Sequence, residues 1–348
     1  MHRDFSQLIR FLSWIFAVSL SVYTLEDADA QAPAGIGIMY LLQSDQAGDP
    51  PRDLTNDPSW TNTVVQGVAL RTEWGRVEPT EGSFYWGFLD QGITLAAAHG
   101  KKISILVTAG VATPKWVYDA GAAVFNVTTQ TGVVMPMPLP WDRVFQAKWG
   151  DFIHAFAARY GGNSNLAYVV MGGPGRRAES FFCFTKKDIN YFTNTLGGLP
   201  NWEQGVKWII DQYATSLPTT PFILDMGSPI PTSAGTASLQ SVCNYGAAQY
   251  PHNQFGVKSD GLAVNGPTSG SMGAKEVKSL SPTATVGYQF ALPQQGATDP
   301  ATGRLTLDEA LQRGIGFGAD FIEVYPADCN DPNAAQVLKA AGAQLLSN

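Results

Sequence analysis

Residues 141–173 read WDRVFQAKWGDFIHAFAARYGGNSNLAYVVMGG. Phe145, Trp149, Phe152 and Phe156 recur at i, i+4, i+7 and i+11, which lines one face of a helix with large apolar side chains. Gly161-Gly162 stops that periodicity in the way helices commonly stop. After a short polar turn comes LAYVVMG (166–172), an apolar run too short for a helix and suited to a buried strand. A helix followed at once by a buried strand is the repeating unit of a parallel sheet.

The same alternation runs from residue 35 to the end of the chain. Strand candidates are IGIMYLL (36–42), VALRTEW (68–74), KISILVTAG (102–110), LAYVVMG (166–172), PFILDMG (221–227), FGVKSDGLA (255–263), TATVGYQFAL (283–292) and DFIEVYPAD (320–328). Between them NWEQGVKWIIDQYATSLP has helical spacing through Trp202, Val206, Ile209, Ile210 and Tyr213. The stretch Thr306-Leu307-Asp308-Glu309 has the form of a capping box opening the helix LDEALQRG, and NAAQVLKAAGAQLLS closes the chain as a helix. Eight strands alternating with helices predict an α/β fold, a closed (β/α)8 TIM barrel in preference to an open doubly wound sheet. The residues beyond a typical barrel of about 250 are expected as extended loops near 43–66, 119–140, 228–254 and 264–282, all rich in Gly, Pro, Ser and Thr.

With 348 residues, 45% hydrophobic and 15% charged, the chain is a globular protein with a large core. A net charge of -7 and basic clusters no longer than the pairs Lys101-Lys102, Arg176-Arg177 and Lys186-Lys187 exclude nucleic acid as an expected partner. Residues 1–30 have the pattern of a signal peptide: Arg3 and Arg10, the apolar stretch FLSWIFAVSLSVY, and Ala28-Asp29-Ala30 as a small-x-small site. Export is therefore expected, leaving one barrel domain over 31–348 with a charge of -5 and no membrane segment after removal. Oligomeric state is not readable.

An exported chain can oxidise two of its three cysteines, Cys183, Cys243 and Cys329, in any of three pairings. Cys183 with Cys243 is the expected disulfide if both lie in successive loops on one face. No C-x-x-C pair, no ligand spacing among the histidines and no third glycine after Gly35-Ile36-Gly37 are present, so neither metal nor cofactor is expected. Asn126-Val127-Thr128 is a glycosylation sequon.

In a barrel of this kind the pocket is built after the C-terminal ends of the strands. The polar residues there are Arg71, Glu73, Thr108, Glu179, Asp225, Lys258, Asp260, Gln289, Glu323, Tyr325 and Asp328, with Trp74, Trp86, Trp116, Tyr118 and Trp141 nearby in sequence. Carboxylates with flat aromatic faces suit a sugar, and glycosidic cleavage needs two carboxyl groups. Arg71 and Glu73 alternate with Thr72 and share one strand face.

The segment RTEWGRVEPTEGSFYWGFLDQGITLAAAHGKKISILVTAG (71–110), followed by TPKWVY (113–118), resembles strands 2 and 3 of clan A retaining glycoside hydrolases, especially the family 42 β-galactosidases and families 39 and 5. Glu78-Pro79 before Glu81-Gly82, the aromatics Phe84, Tyr85 and Trp86, Asp90, and Pro114-x-Trp116 carry the likeness. The resemblance implies an acid/base Glu after an Asn at the end of strand 4 and a nucleophilic Glu at the end of strand 7. Here strand 4 ends in Met171-Gly172-Gly173, so the first carboxylate is Glu179, beside Arg176 and Arg177. Strand 7 carries Gln289, a neutral amide that cannot serve as the usual nucleophile.

The expectation is a secreted glycoside hydrolase with Glu179 as acid/base and Glu323 as nucleophile or water-activating base. Arg71, Glu73, Trp116, Asp225, Lys258, Gln289 and Tyr325 would bind the carbohydrate. Carboxylates after strands 4 and 8, facing each other across the mouth, favour inversion. For Glu323 the rival reading is a structural ion pair with Arg71 or Lys258. The alternative function is a secreted carbohydrate-binding barrel that has lost the strand-7 nucleophile and no longer hydrolyses.

Overall fold

The computed structural model describes residues 34–45, 52–251, 253–294, 297–298, 303 and 305–347, so the expected signal segment lies outside the described residues. Eight strands close into one barrel: β1 (Gly37–Asp45), β2 (Gly67–Glu73), β3 (Lys102–Thr108), β4 (Leu166–Val170), β5 (Phe222–Asp225), β6 (Phe255–Leu262), β7 (Val286–Phe290) and β8 (Phe321–Val324). Each strand pairs in parallel with its neighbour in the chain, and β8 pairs back onto β1. With helices between the strands, this is the (β/α)8 TIM barrel that the alternation predicts.

Period-2 alternation gives every strand an inner and an outer face. Met39, Leu41, Ala69, Leu106, Tyr168, Val170, Ile223 and Phe321 pack inside the barrel. A larger cluster, with Ile322, Val324, Trp74 and Trp202 among its members, fills the space between strands and helices. The helix Arg143–Tyr160 is capped by Asp142, whose side chain accepts from the backbone N–H of Val144 and Phe145. Its Phe145, Trp149, Phe152 and Phe156 all face inward and are buried, and Trp149 stacks on Phe152 at 4.9 Å. Inside the barrel Tyr168 stacks on Phe321 at 4.2 Å. The Phe321 ring lies where a side chain at Gly287 would be, because a Cβ there would come within 2.6 Å of it.

Several expectations need correction. The stretches 228–254 and 264–282 are not insertions: they hold the helices Ser233–Gln249 and Met272–Leu280, capped by Thr232 and Ser271. Their Gly and Ser content reads as loop locally, yet Gly235, Ser238 and Gly246 are buried beside Leu239 and Val242 on one helix, and Ala274 beside Val277 on the other. The insertion at 119–140 contains an antiparallel hairpin, Val124–Thr128 with Val134–Pro138, whose first strand alternates exposed and buried residues. The helix Thr306–Gly316 begins after Leu305 with no side-chain cap. The Thr306 hydroxyl instead donates to the Ala297 carbonyl. All three cysteines are free and buried, so the Cys183–Cys243 bridge is not formed. Cys243 sits inside the helix Ser233–Gln249 rather than in a loop.

The floor of the barrel is tied at Asp320. Its backbone carbonyl accepts from Ile36 and Gly37, and its carboxyl accepts from the Val286 N–H at 2.8 Å. Burial pushes this carboxyl up to about 7, against the lowering effect of the Val286 hydrogen bond. In the unfolded chain the group ionises near its ordinary value of 3.8, so between about pH 4 and pH 7 the folded state holds the extra proton. Stability from this group therefore falls as pH rises through that window, by up to about 1.4 kcal/mol per pH unit. Asp320→Asn is expected to flatten that slope in urea melts repeated from pH 4 to pH 8.

Candidate active site

At the C-terminal end of the barrel a cavity of about 300 Å³ is lined by the ends of β2, β3, β6 and β7, the β4 loop and Tyr325 after β8. Alternation brings Arg71, Asp225, Lys258, Gln289 and Glu323 to the inner face of five different strands. Register does the rest: Asp225 is level with Lys258, and Glu323 with Gln289.

The centre of this group is Lys258, fully buried. Its ammonium lies 2.8 Å from Asp225 Oδ2, contacts Asp260 Oδ1, and lies 3.3 Å from Gln289 Oε1 and 3.4 Å from Glu323 Oε2. Arg71 donates to Gln289 Oε1 and pairs with Glu323 Oε2 at 3.0 Å. The other Glu323 oxygen accepts from the Tyr168 hydroxyl at 3.0 Å.

Burial, and then the charge of Asp260, push the Asp225 carboxyl well above the usual range, against the lowering effect of Lys258 at 2.8 Å. Burial opposes ionisation of Asp260 as well, but Lys258 and then Arg71 outweigh it and hold that carboxyl below its ordinary value. For both cations burial favours the neutral form, and the surrounding carboxylates overcome it, leaving Lys258 and Arg71 firmly charged. Two cations and three carboxyl groups, Asp225, Asp260 and Glu323, thus share one buried network.

The expected site residues divide accordingly. Arg71, Glu73, Glu179, Gln289 and Tyr325 line the cavity. Lys258, Asp225 and Glu323 lie in the network beneath it and are not in its lining; Glu323 is 1% exposed, with both oxygens engaged. The rival reading of Glu323, an ion pair with Arg71 and Lys258, describes its place in the structure. Trp116 donates its indole N–H to the Glu78 carbonyl and packs edge-on to Trp74, so it belongs to the wall of the fold rather than to the cavity. Tyr325 is the aromatic that lines it. Asp328 accepts from the Gln294 N–H and acts as a loop anchor.

The β4 loop is a clasp rather than a free turn. Arg176 N–H donates to the Phe181 carbonyl, Ser180 N–H to the Asp225 carbonyl, and Ser180 Oγ exchanges hydrogen bonds with Gly227 at 2.7 and 2.9 Å. Gly227 is tight against Glu179, since a Cβ on it would lie 3.2 Å from that of Glu179. Glu179 is thereby fixed at the cavity wall.

Asp260 and Tyr168 are the residues that site-by-site reading undervalued. Asp260 follows Lys258 at i+2, so shared parity signalled a shared face. Tyr168 is a hydroxyl inside an otherwise apolar strand, and that anomaly was its only signal.

Residues 63–192, over a third of the chain, match the sequence family described as β-galactosidase, glycoside hydrolase family 42. No curated protein gives a significant sequence match. Among solved structures, the β-amylase catalytic domain of Paenibacillus polymyxa superposes with a TM-score of 0.59 at 12% identity, covering 89% of this chain and 99% of that one. The β-galactosidase of the psychrophilic Marinomonas ef1 gives 0.51 at 11% identity, covering 88% and 59%, and that of the Antarctic haloarchaeon Halorubrum lacusprofundi 0.52 at 13%, covering 90% and 58%. The chain spans less than two thirds of those two β-galactosidase chains. The likeness to clan A glycoside hydrolases thus lies in the barrel and in the 63–192 segment. Within that segment Glu78 accepts from the Trp74 indole and the Gly82 N–H, both at 2.8 Å, and Asp90 takes a two-pronged contact from Arg159, while Arg71, Glu73, Arg177 and Glu179 line the cavity.

Removing one charge from a closed buried network strands the rest. Lys258→Met is expected to destabilise the fold by about 3–5 kcal/mol, read from urea denaturation midpoints.

Proposed function

We propose that this chain is an exported glycosidase that cleaves a terminal unit from an oligosaccharide or polysaccharide. A cavity of about 300 Å³ is at the lower end of the range of ligand pockets, roughly 300–1,000 Å³, and suits a chain end better than a long stretch of polymer. The family match over 63–192 and the barrel support the reaction class.

The observation that carries the mechanism is the pairing, in one cavity, of Glu179 with Asp260. Glu179 makes no hydrogen bond or ion pair with any described residue, so its carboxyl group is not committed within the protein. Asp260 is 13% exposed and held ionised by Lys258 and Arg71. Glu179 protonates the glycosidic oxygen as the C–O bond breaks. Asp260 provides the negative charge that an oxocarbenium-like transition state requires, as nucleophile or as base toward water.

This assigns to Asp260 the role that the sequence alone gave to Glu323, whose oxygens are occupied by Arg71, Lys258 and Tyr168. The inversion expected from a Glu179–Glu323 pair is set aside with it. Arg71, Gln289, Tyr325 and Glu73 are placed to bind hydroxyls, and Gln289 has its carbonyl oxygen turned to Arg71, which fixes the amide's orientation.

The test is release of reducing ends from a panel of glycans. Glu179→Gln and Asp260→Asn should each lower kcat by at least about a hundredfold with binding retained. Full activity in either variant removes that residue from the mechanism, and binding without cleavage by the unaltered chain across the panel overturns hydrolysis itself.

A further inference from the structure

We infer that the cavity accepts a sugar bearing an anionic substituent, a carboxylate or a sulfate ester, and that Arg177 recognises it. The inference rests on the glycosidase reading of the same site and adds the class of substrate.

Five charged side chains line the cavity: Arg71, Glu73, Arg177, Glu179 and Asp260. Three are committed within the protein. Arg71 pairs with Glu323, Asp260 with Lys258, and Glu73 is engaged with another group. The two left over are Glu179 and Arg177, neither of which has a hydrogen bond or ion pair among the described residues. Glu179 is spent on chemistry. Arg177 is exposed at the cavity and has no structural work.

Its neighbour Arg176 strengthens the case. Arg176 is 7% exposed, has no carboxylate partner among the described residues, and its Nη1 has no acceptor. Its guanidinium rests 5.6 Å from the ring centres of both Phe181 and Phe184. Burial disfavours this guanidinium's charge and the charge of Glu179 opposes that effect, so a further negative charge arriving nearby stabilises it. Charge balance points the same way. When Glu179 carries the proton it must deliver, Arg176 and Arg177 have no counter-charge beside them, and a substrate anion supplies one.

The recognising group is also preorganised. The Arg176 carbonyl accepts from Val111 N–H at 3.0 Å and its N–H donates to Phe181 at 2.8 Å, so the backbone entering Arg177 is fixed before ligand arrives. A planar guanidinium matches carboxylate and sulfate oxygens two at a time, which neutral hydroxyls do not exploit.

The experiment is calorimetric titration of the full chain with galacturonic and glucuronic acids, their methyl esters, galactose 6-sulfate, and neutral galactose and glucose. The free acids or the sulfate should bind at least about tenfold more tightly than the neutral sugars, with the methyl esters falling to the neutral level. The acids and the sulfate separate the two anion sources. In Arg177→Gln that ratio should collapse to about one, and because Arg177 is exposed the variant keeps its fold, checked by its melting temperature. Equal binding of acidic and neutral sugars by the unaltered chain, no binding of any acidic sugar, or a preference that survives Arg177→Gln each overturns the proposal. Uronate binding through Arg177 without release of reducing ends would retire the glycosidase reading alone, whereas cleavage of neutral glycans with no acidic preference would retire this one alone.

Discussion

An ammonium group with no access to water stands at the centre of the barrel's polar end, and the arrangement around it follows from that fact. Lys258 cannot remain charged in such a place unless carboxylates converge on it, and Asp225, Asp260 and Glu323 do so from three strands. Those carboxyls bring Arg71 and Tyr168 with them. Burial works against every charge in the group, and the close approach of opposite charges offsets it. Gln289 makes sense within the same accounting. Its carbonyl oxygen accepts from Arg71 and lies near Lys258 without adding charge, whereas a carboxylate in that position would add a fourth acid to a group that holds two cations.

This network divides the site into a fixed floor and an available rim. Side chains below are fully committed to one another, so they set field and shape but have little capacity left for a ligand. Glu179 and Arg177, on the β4 loop, keep their capacity because the loop is held by its backbone instead of by their side chains. Holding a loop through main-chain bonds to the β5 segment leaves its charged groups free to meet substrate.

Much of the 71–118 segment, which lies within the family match, has a different task. Glu78 ties together Trp74, the Gly82 turn and, through its carbonyl, Trp116. These contacts shape the wall beside β2 and β3 rather than the reacting centre. A resemblance confined to such residues identifies architecture well and says less about which carboxylate attacks. That is why the chain can keep them while strand 4 lacks the Asn-Glu pair and strand 7 carries Gln289.

Eight strands and the buried stripe of Arg143–Tyr160 were legible in the sequence, because periodicity is a local property and the barrel needs every period to agree. Helices such as Ser233–Gln249 were not, since their small side chains are chosen to fit a neighbour that only the fold supplies. The free thiols belong to the same class, because pairing depends on distance between segments remote in sequence. By itself the sequence determined the barrel and assembled the polar residues that would meet at its C-terminal end. Only the tertiary structure decided which of them became floor and which faced the cavity, because burial and charge pairing are properties of the assembled strands: Lys258 contacts both Glu323 and Asp260, but Arg71 and Tyr168 also engage Glu323 beneath the cavity, while Asp260 lines it.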